Sequence, residues 1–150
     1  MNDPRLNKLA KLLVNYSTGV KPEQRVRIKG ATITAPLLLE IYREVLKAGA
    51  FPYIDVDLPG SEEILIKTGS EKQLSYFPKI EQMILDESDV SIAVWSTINS
   101  KELSNCDTEK QAIVRRSRGP LMENFLNRFA NGSLKWVGVG YPTLASAQDA

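Results

Sequence analysis

Along the first third of the chain the apolar positions change period twice. Leu6, Leu9, Ala10, Leu13 and Tyr16 recur at the three- and four-residue spacing of one helix face, with Lys8, Lys11 and Asn15 elsewhere around the helix. Asp3 before Pro4 supplies an N-cap and a first helical residue, and Gly19 ends the helix. After Pro22, residues 25–29 alternate polar and apolar, the period of a strand with one buried face. Residues 30–34 predict a turn. Thr34 then caps a second helix, with Pro36 in its first turn and Leu37, Leu38, Ile41, Tyr42, Val45 and Leu46 as its apolar positions, stopped at Gly49.

The same alternation continues. Residues 53–56 predict a second strand. Ser61, with Glu63 nearby, opens a helix that runs through Ile64 and Leu65 towards Gly69. A further helix follows Pro78 and is expected to bury Ile80, Met83 and Ile84 or Leu85. Residues 90–95 form a third, strongly apolar strand. Asp107 caps a helix through Ala112, Ile113 and Val114 to Arg118, where Gly119 and Pro120 break it and start another. That helix carries the stripe Leu121, Met122, Phe125, Leu126 and Phe129 and stops at Asn131 and Gly132. Residues 135–141 make a fourth strand, and Pro142 and Thr143 begin one more helix. Strands alternating with helices imply parallel pairing through right-handed crossovers. The expected fold is a three-layer, Rossmann-like α/β domain, with a mostly parallel sheet of about four strands flanked by helices. No internal repeat, low-complexity stretch or linker divides the 150 residues, so they read as one domain.

Composition narrows the chemistry. Nineteen basic and 18 acidic residues leave a net charge of +1, which offers no global attraction to nucleic acid or an anionic membrane. No apolar run approaches the roughly 20 residues of a membrane span. One cysteine, Cys106, excludes an intrachain disulfide. With no secretory signal at the start, a cytoplasmic setting is expected. Histidine is absent. That excludes a Ser-His-Asp triad, a Cys-His pair and a histidine-ligated zinc site within these residues.

Few side chains suggest a site. The turn at residues 30–34 lies where doubly wound folds bind phosphate, but its single glycine is not a Gly-x-Gly-x-x-Gly motif and Pro36 removes an amide; a plain structural turn is expected. Asp55 and Asp57 face the same way on a strand, and Asp86, Glu87 and Asp89 cluster at a helix end; both groups read as solvated surface charge. Arg115, Arg116 and Arg118, with Arg128 and Lys135 later in the chain, form a basic patch whose helix-end position accounts for it electrostatically. Cys106 precedes a helix cap but has no histidine to serve as its base. Trp95, Trp136, Phe125 and Phe129 read as packing aromatics.

The chain resembles the thermophilic metallo-aminopeptidases, the family of aminopeptidase T and aminopeptidase S. The resemblance rests on LKWVGVGYPTLASAQDA at residues 134–150, above all Trp136, Tyr141, Pro142, Thr143, Ala145, Ala147 and Gln148. It rests also on LAKLLVNYS at 9–17, VKP at 20–22, VRI at 26–28, and YREVLKAGA at 42–50 followed by Pro52 and Tyr53. Residues 95–100 and 119–122 depart from the family text. The resemblance implies an amino-terminal α/β domain of a longer peptide hydrolase. Such an enzyme carries two divalent ions (zinc, cobalt or similar) on glutamate, histidine and aspartate ligands in a later segment, acts on peptides and forms a homodimer. No catalytic, cofactor-binding or metal-ligating residue of the family maps onto residues 1–150. This segment is therefore expected to shape or cover the cavity without being catalytic. A stand-alone module binding a small anion at residues 30–34, and a structural dimerisation domain, are the alternatives.

Overall fold

The computed structural model describes residues 3–96 and 103–141. The helix expected at 142–143 and the family-like residues Ala145, Ala147 and Gln148 lie outside them. Four parallel strands, β1 (Arg25–Ala31), β2 (Phe51–Asp57), β3 (Val90–Trp95) and β4 (Lys135–Gly140), stand in the order β2-β1-β3-β4. The expected three-layer α/β fold with a parallel sheet is the one observed.

Register sorts the strands into two faces. Ile28 pairs with Ile54 and Ile92, and Ile92 with Val137, so one face is a continuous aliphatic surface. Helix α1 (Pro4–Lys11) and helix α2 (Ala35–Lys47) cover it, contributing Ala10, Leu37, Leu38, Ile41 and Val45 to the core. Asp3 caps α1 as expected: its carboxylate accepts from the Arg5 amide at 2.9 Å. Beyond Lys11 the helix widens into a π-helical turn over Leu12–Ser17. This turn buries Leu13 and Val14 but leaves Tyr16, expected on the apolar face, exposed.

Helix α2 begins differently from expectation. A 3-10 turn over Thr32–Thr34 precedes it, and Thr34 stands at the N-cap position as expected but makes no side-chain cap hydrogen bond. Its hydroxyl instead donates back to the Ala31 carbonyl at 2.7 Å. Leu46 is exposed, while Glu40 and Glu44 are buried. Both carboxylates stay satisfied: Glu40 accepts from Asn7 at 3.1 Å, and Glu44 pairs with Lys47 at 3.1 Å.

The remaining helices belong to the other side: α3 (Ser61–Thr68), α4 (Glu71–Ser75), α5 (Lys79–Glu87), α6 (Thr108–Ser117) and α7 (Gly119–Ala130). Helix α4 is absent from the sequence expectation. It is fixed by a capping box in which Ser70 accepts from the Gln73 amide and Gln73 accepts from the Ser70 amide. In α5 only Leu85 of the expected apolar set is fully buried; Ile80 and Met83 are exposed. Helix α7 buries no residue completely. Its Phe125 and Phe129 meet Trp136 edge-on, with centroids at 6.0 and 6.4 Å, and Trp136 tilts against Trp95 at 5.8 Å. A second small core, Ile66, Leu74, Cys106 and Val114, ties α3, α4 and α6 together.

Candidate functional site

Strand β1 sends its chain to α2 on one face, while β2 and β3 send theirs to the other. Ligands in open parallel sheets bind at the carboxyl ends of strands near such a reversal. Here those ends frame a recess of about 390 Å³, whose walls include Lys29 and Ala31 from β1, Asp57 from β2, the following residues 58–62, Ser96 after β3, and Arg118 between α6 and α7.

Each wall has a local cause. Residues 58–61 form a tight turn in which the Ser61 amide donates to the Leu58 carbonyl at 3.3 Å. Pro59 presets the first central position, and Gly60 takes φ +91°, which a side chain would resist; this is the type II pattern. Glu62 follows the turn and lines the recess. Lys29 reaches diagonally across the β1–β2 pair to Asp57 at 3.3 Å and lies 3.6 Å from Asp55. Arg27 engages Asp55 at 2.8 Å. Among the described residues Arg118 has no ion-pair partner, and the hydroxyl oxygen of Ser96 is buried without a hydrogen bond.

A second recess of about 490 Å³ adjoins the first, with Glu62, Leu103 and Arg118 in the walls of both. Ile66, Val114 and Met122 make its lining mainly apolar. Together they form one hollow with a charged end and an oily end.

Several sequence expectations change in this setting. Asp55 and Asp57 are not simply solvated; they pair with Arg27 and Lys29. Glu87 and Asp89 clasp Arg25 at 2.7 and 3.2 Å, and Asp86 accepts from Asn124 at 2.8 Å. The Arg25 guanidinium holds the Asp89 carboxyl below its ordinary range, against the opposing effect of burial. The basic patch divides. Arg118 faces the hollow, Arg115 touches only its apolar part, and Arg116 lines neither recess. Arg128 is a structural clamp, donating to the carbonyls of Ser88 at 2.9 Å and Ser133 at 3.1 Å.

The turn at residues 30–34 contributes only Ala31 to the hollow. A Cβ at Gly30 would sit 2.5 Å from the Thr34 hydroxyl and 3.0 Å from Leu38, so glycine there permits α2 to close on β1. Cys106 is buried, and Asp107 caps α6 by accepting from the Glu109 amide at 2.8 Å. Sequence reasoning missed Asp57, Ser96 and Glu62 as neighbours; the Pro59-Gly60 turn was the one local signal.

The donor chemistry does not suit a resident transition metal. Among the described residues no group of three His, Cys, Asp or Glu side chains is placed to hold an ion, and Asp55 and Asp57 are held by Arg27 and Lys29. No described helix is long and apolar enough to cross a membrane.

The model of the thermophilic metalloprotease (M29) family matches residues 2–150. The chain belongs to that family. The resemblance read from its residues is thereby borne out. Among solved structures, wild-type AmpT from Thermus thermophilus matches with a TM-score of 0.80 at 15% identity, over 93% of this chain and 36% of AmpT. That likeness speaks for the fold, and this M29 chain spans about a third of the solved relative's length. No curated protein sequence matches it significantly.

Proposed function

We propose that this chain is the non-catalytic amino-terminal domain of a metal-dependent aminopeptidase that removes amino-terminal residues from peptides. The observation that carries this reading is the metalloprotease family match over residues 2–150 in a chain with no histidine. Histidine, whose imidazole is the commonest donor for transition-metal ions, is missing here, and among the described residues no three His, Cys, Asp or Glu side chains converge. In this reading two divalent ions, zinc, cobalt or similar, are held by residues outside this segment. The enzyme works in the cytoplasm as a homodimer, without nucleic-acid partners.

The domain's own contribution is geometric. Its rigid parallel sheet presents the charged and apolar hollow at one end, beside the peptide cavity, where it restricts access and orients what enters. Removing residues 1–150 from the longer protein is expected to abolish peptide hydrolysis or to change its selectivity sharply. Unchanged hydrolysis after that removal would overturn the cavity-shaping role.

A further inference from the structure

The hollow at the strand ends gathers charges of both signs around one recess. Its polar end sets cations against anions. Arg118 lacks an ion-pair partner among the described residues, Lys29 is held between Asp55 and Asp57, and Glu62, after the turn, lines the same recess. A simple anion entering here would meet Asp57 and Glu62, and a simple cation would meet Arg118 and Lys29. A ligand carrying both charges on adjacent groups satisfies both sets at once. The Ser96 hydroxyl, buried beside them without a partner among the described residues, supplies a neutral hydrogen bond.

The adjoining apolar end specifies the rest of the ligand. Ile66, Val114 and Met122 line it, and Glu62 and Arg118 stand at the junction. Both chambers, about 390 and 490 Å³, fall within the roughly 300–1,000 Å³ of small-molecule sites. From this geometry we infer that the hollow binds a free α-amino acid with an apolar side chain. Its carboxylate lies against Arg118, its ammonium against Asp57 and Glu62, and its side chain enters the Ile66–Val114 chamber.

The inference rests on the proposed function in one respect: a free amino acid is what an aminopeptidase releases, so the site would bind its product. It is tested by calorimetric titration of the chain with L-leucine, glycine, leucinamide and 4-methylpentanoate. Leucine is expected to bind. Glycine lacks the side chain, leucinamide the carboxylate and 4-methylpentanoate the ammonium, and each is expected to bind about tenfold more weakly or worse. Arg118→Ala should weaken leucine by a similar factor, whereas Arg116→Ala, outside the hollow, should leave it unchanged. Met122→Gln, at a half-exposed position where folding is safe, should weaken leucine but not glycine.

No leucine binding, or equal binding of 4-methylpentanoate and leucine, overturns the inference. Peptide hydrolysis by the longer protein without leucine binding to this chain removes the inference alone. Leucine binding without hydrolysis removes the aminopeptidase reading and leaves the site standing.

Discussion

The two faces of the sheet are built on opposite principles. Under α1 and α2 the strands present Val26, Ile28, Val90, Ile92 and Val94, all buried, and the helices fill the layer with leucine and isoleucine. On the opposite face, register brings Arg27, Lys29, Asp55, Asp57 and Ser91 into the same layer, and the covering helices leave much of β2 open. A parallel sheet ordinarily needs both faces covered. The first face therefore carries the stability. The second pairs Arg27 and Lys29 with Asp55 and Asp57 and holds the recess.

That contrast can be broken in graded steps. Ile92→Ala, on the closed face and fully buried, is expected to cost about 3 kcal/mol, because the tight layer cannot collapse into the cavity. Urea unfolding measures it, and a loss below about 1 kcal/mol would contradict the assignment of that face. Gly138→Ala, on the open face, would drive a Cβ into the Trp95 and Trp136 rings and should cost about 2 kcal/mol, with a change in tryptophan fluorescence.

Arg27→Ala leaves the part-buried Asp55 carboxylate with only the longer Lys29 contact at 3.6 Å and is expected to cost about 1–2 kcal/mol. Replacing both residues by leucine should recover most of that loss. If the pair variant is as damaged as the single one, the open face depends on its ion pairs more than the contrast allows. Ser70→Ala removes one half of the capping box and should cost about 1 kcal/mol, seen first as faster amide exchange in α4.

The smallest effect is a pH effect. The Asp89 carboxyl is held below its ordinary value of 3.8, chiefly by the Arg25 guanidinium. A lowered folded-state pKa gives stability that is fully present above 3.8 and lost as pH falls through the folded value. Asp89→Asn should therefore lower the melting temperature at about pH 7 and make little difference near about pH 2. A larger difference in acid would reverse the sign and refute the pairing.

Much of the closed face was legible because its signals are local. Alternation marked residues 25–29, a strongly apolar run marked 90–95, and helical spacing marked Leu37, Leu38, Ile41 and Val45. The open face was harder to read. Spacing predicted that Ile80 and Met83 would be buried, yet both are exposed and only Leu85 of α5 is fully buried. Glu40 and Glu44 lie outside the apolar positions of α2, yet both are buried; the docking of α1, which supplies Asn7, and the neighbouring Lys47 make that burial tolerable. The hollow joins Lys29, Asp57, Ser96 and Arg118 from four separate segments. Strand order alone brings them together, and no period within the sequence encodes strand order.

The central claim is that this domain serves a metallo-aminopeptidase without performing its chemistry. The most direct measurement is release of amino acids from short peptides in the presence of zinc or cobalt, by residues 1–150 alone and by the longer protein. The account expects no turnover from the isolated segment and chelator-sensitive turnover from the longer protein. Metal-dependent turnover by the segment alone, or none by the longer protein, would contradict it.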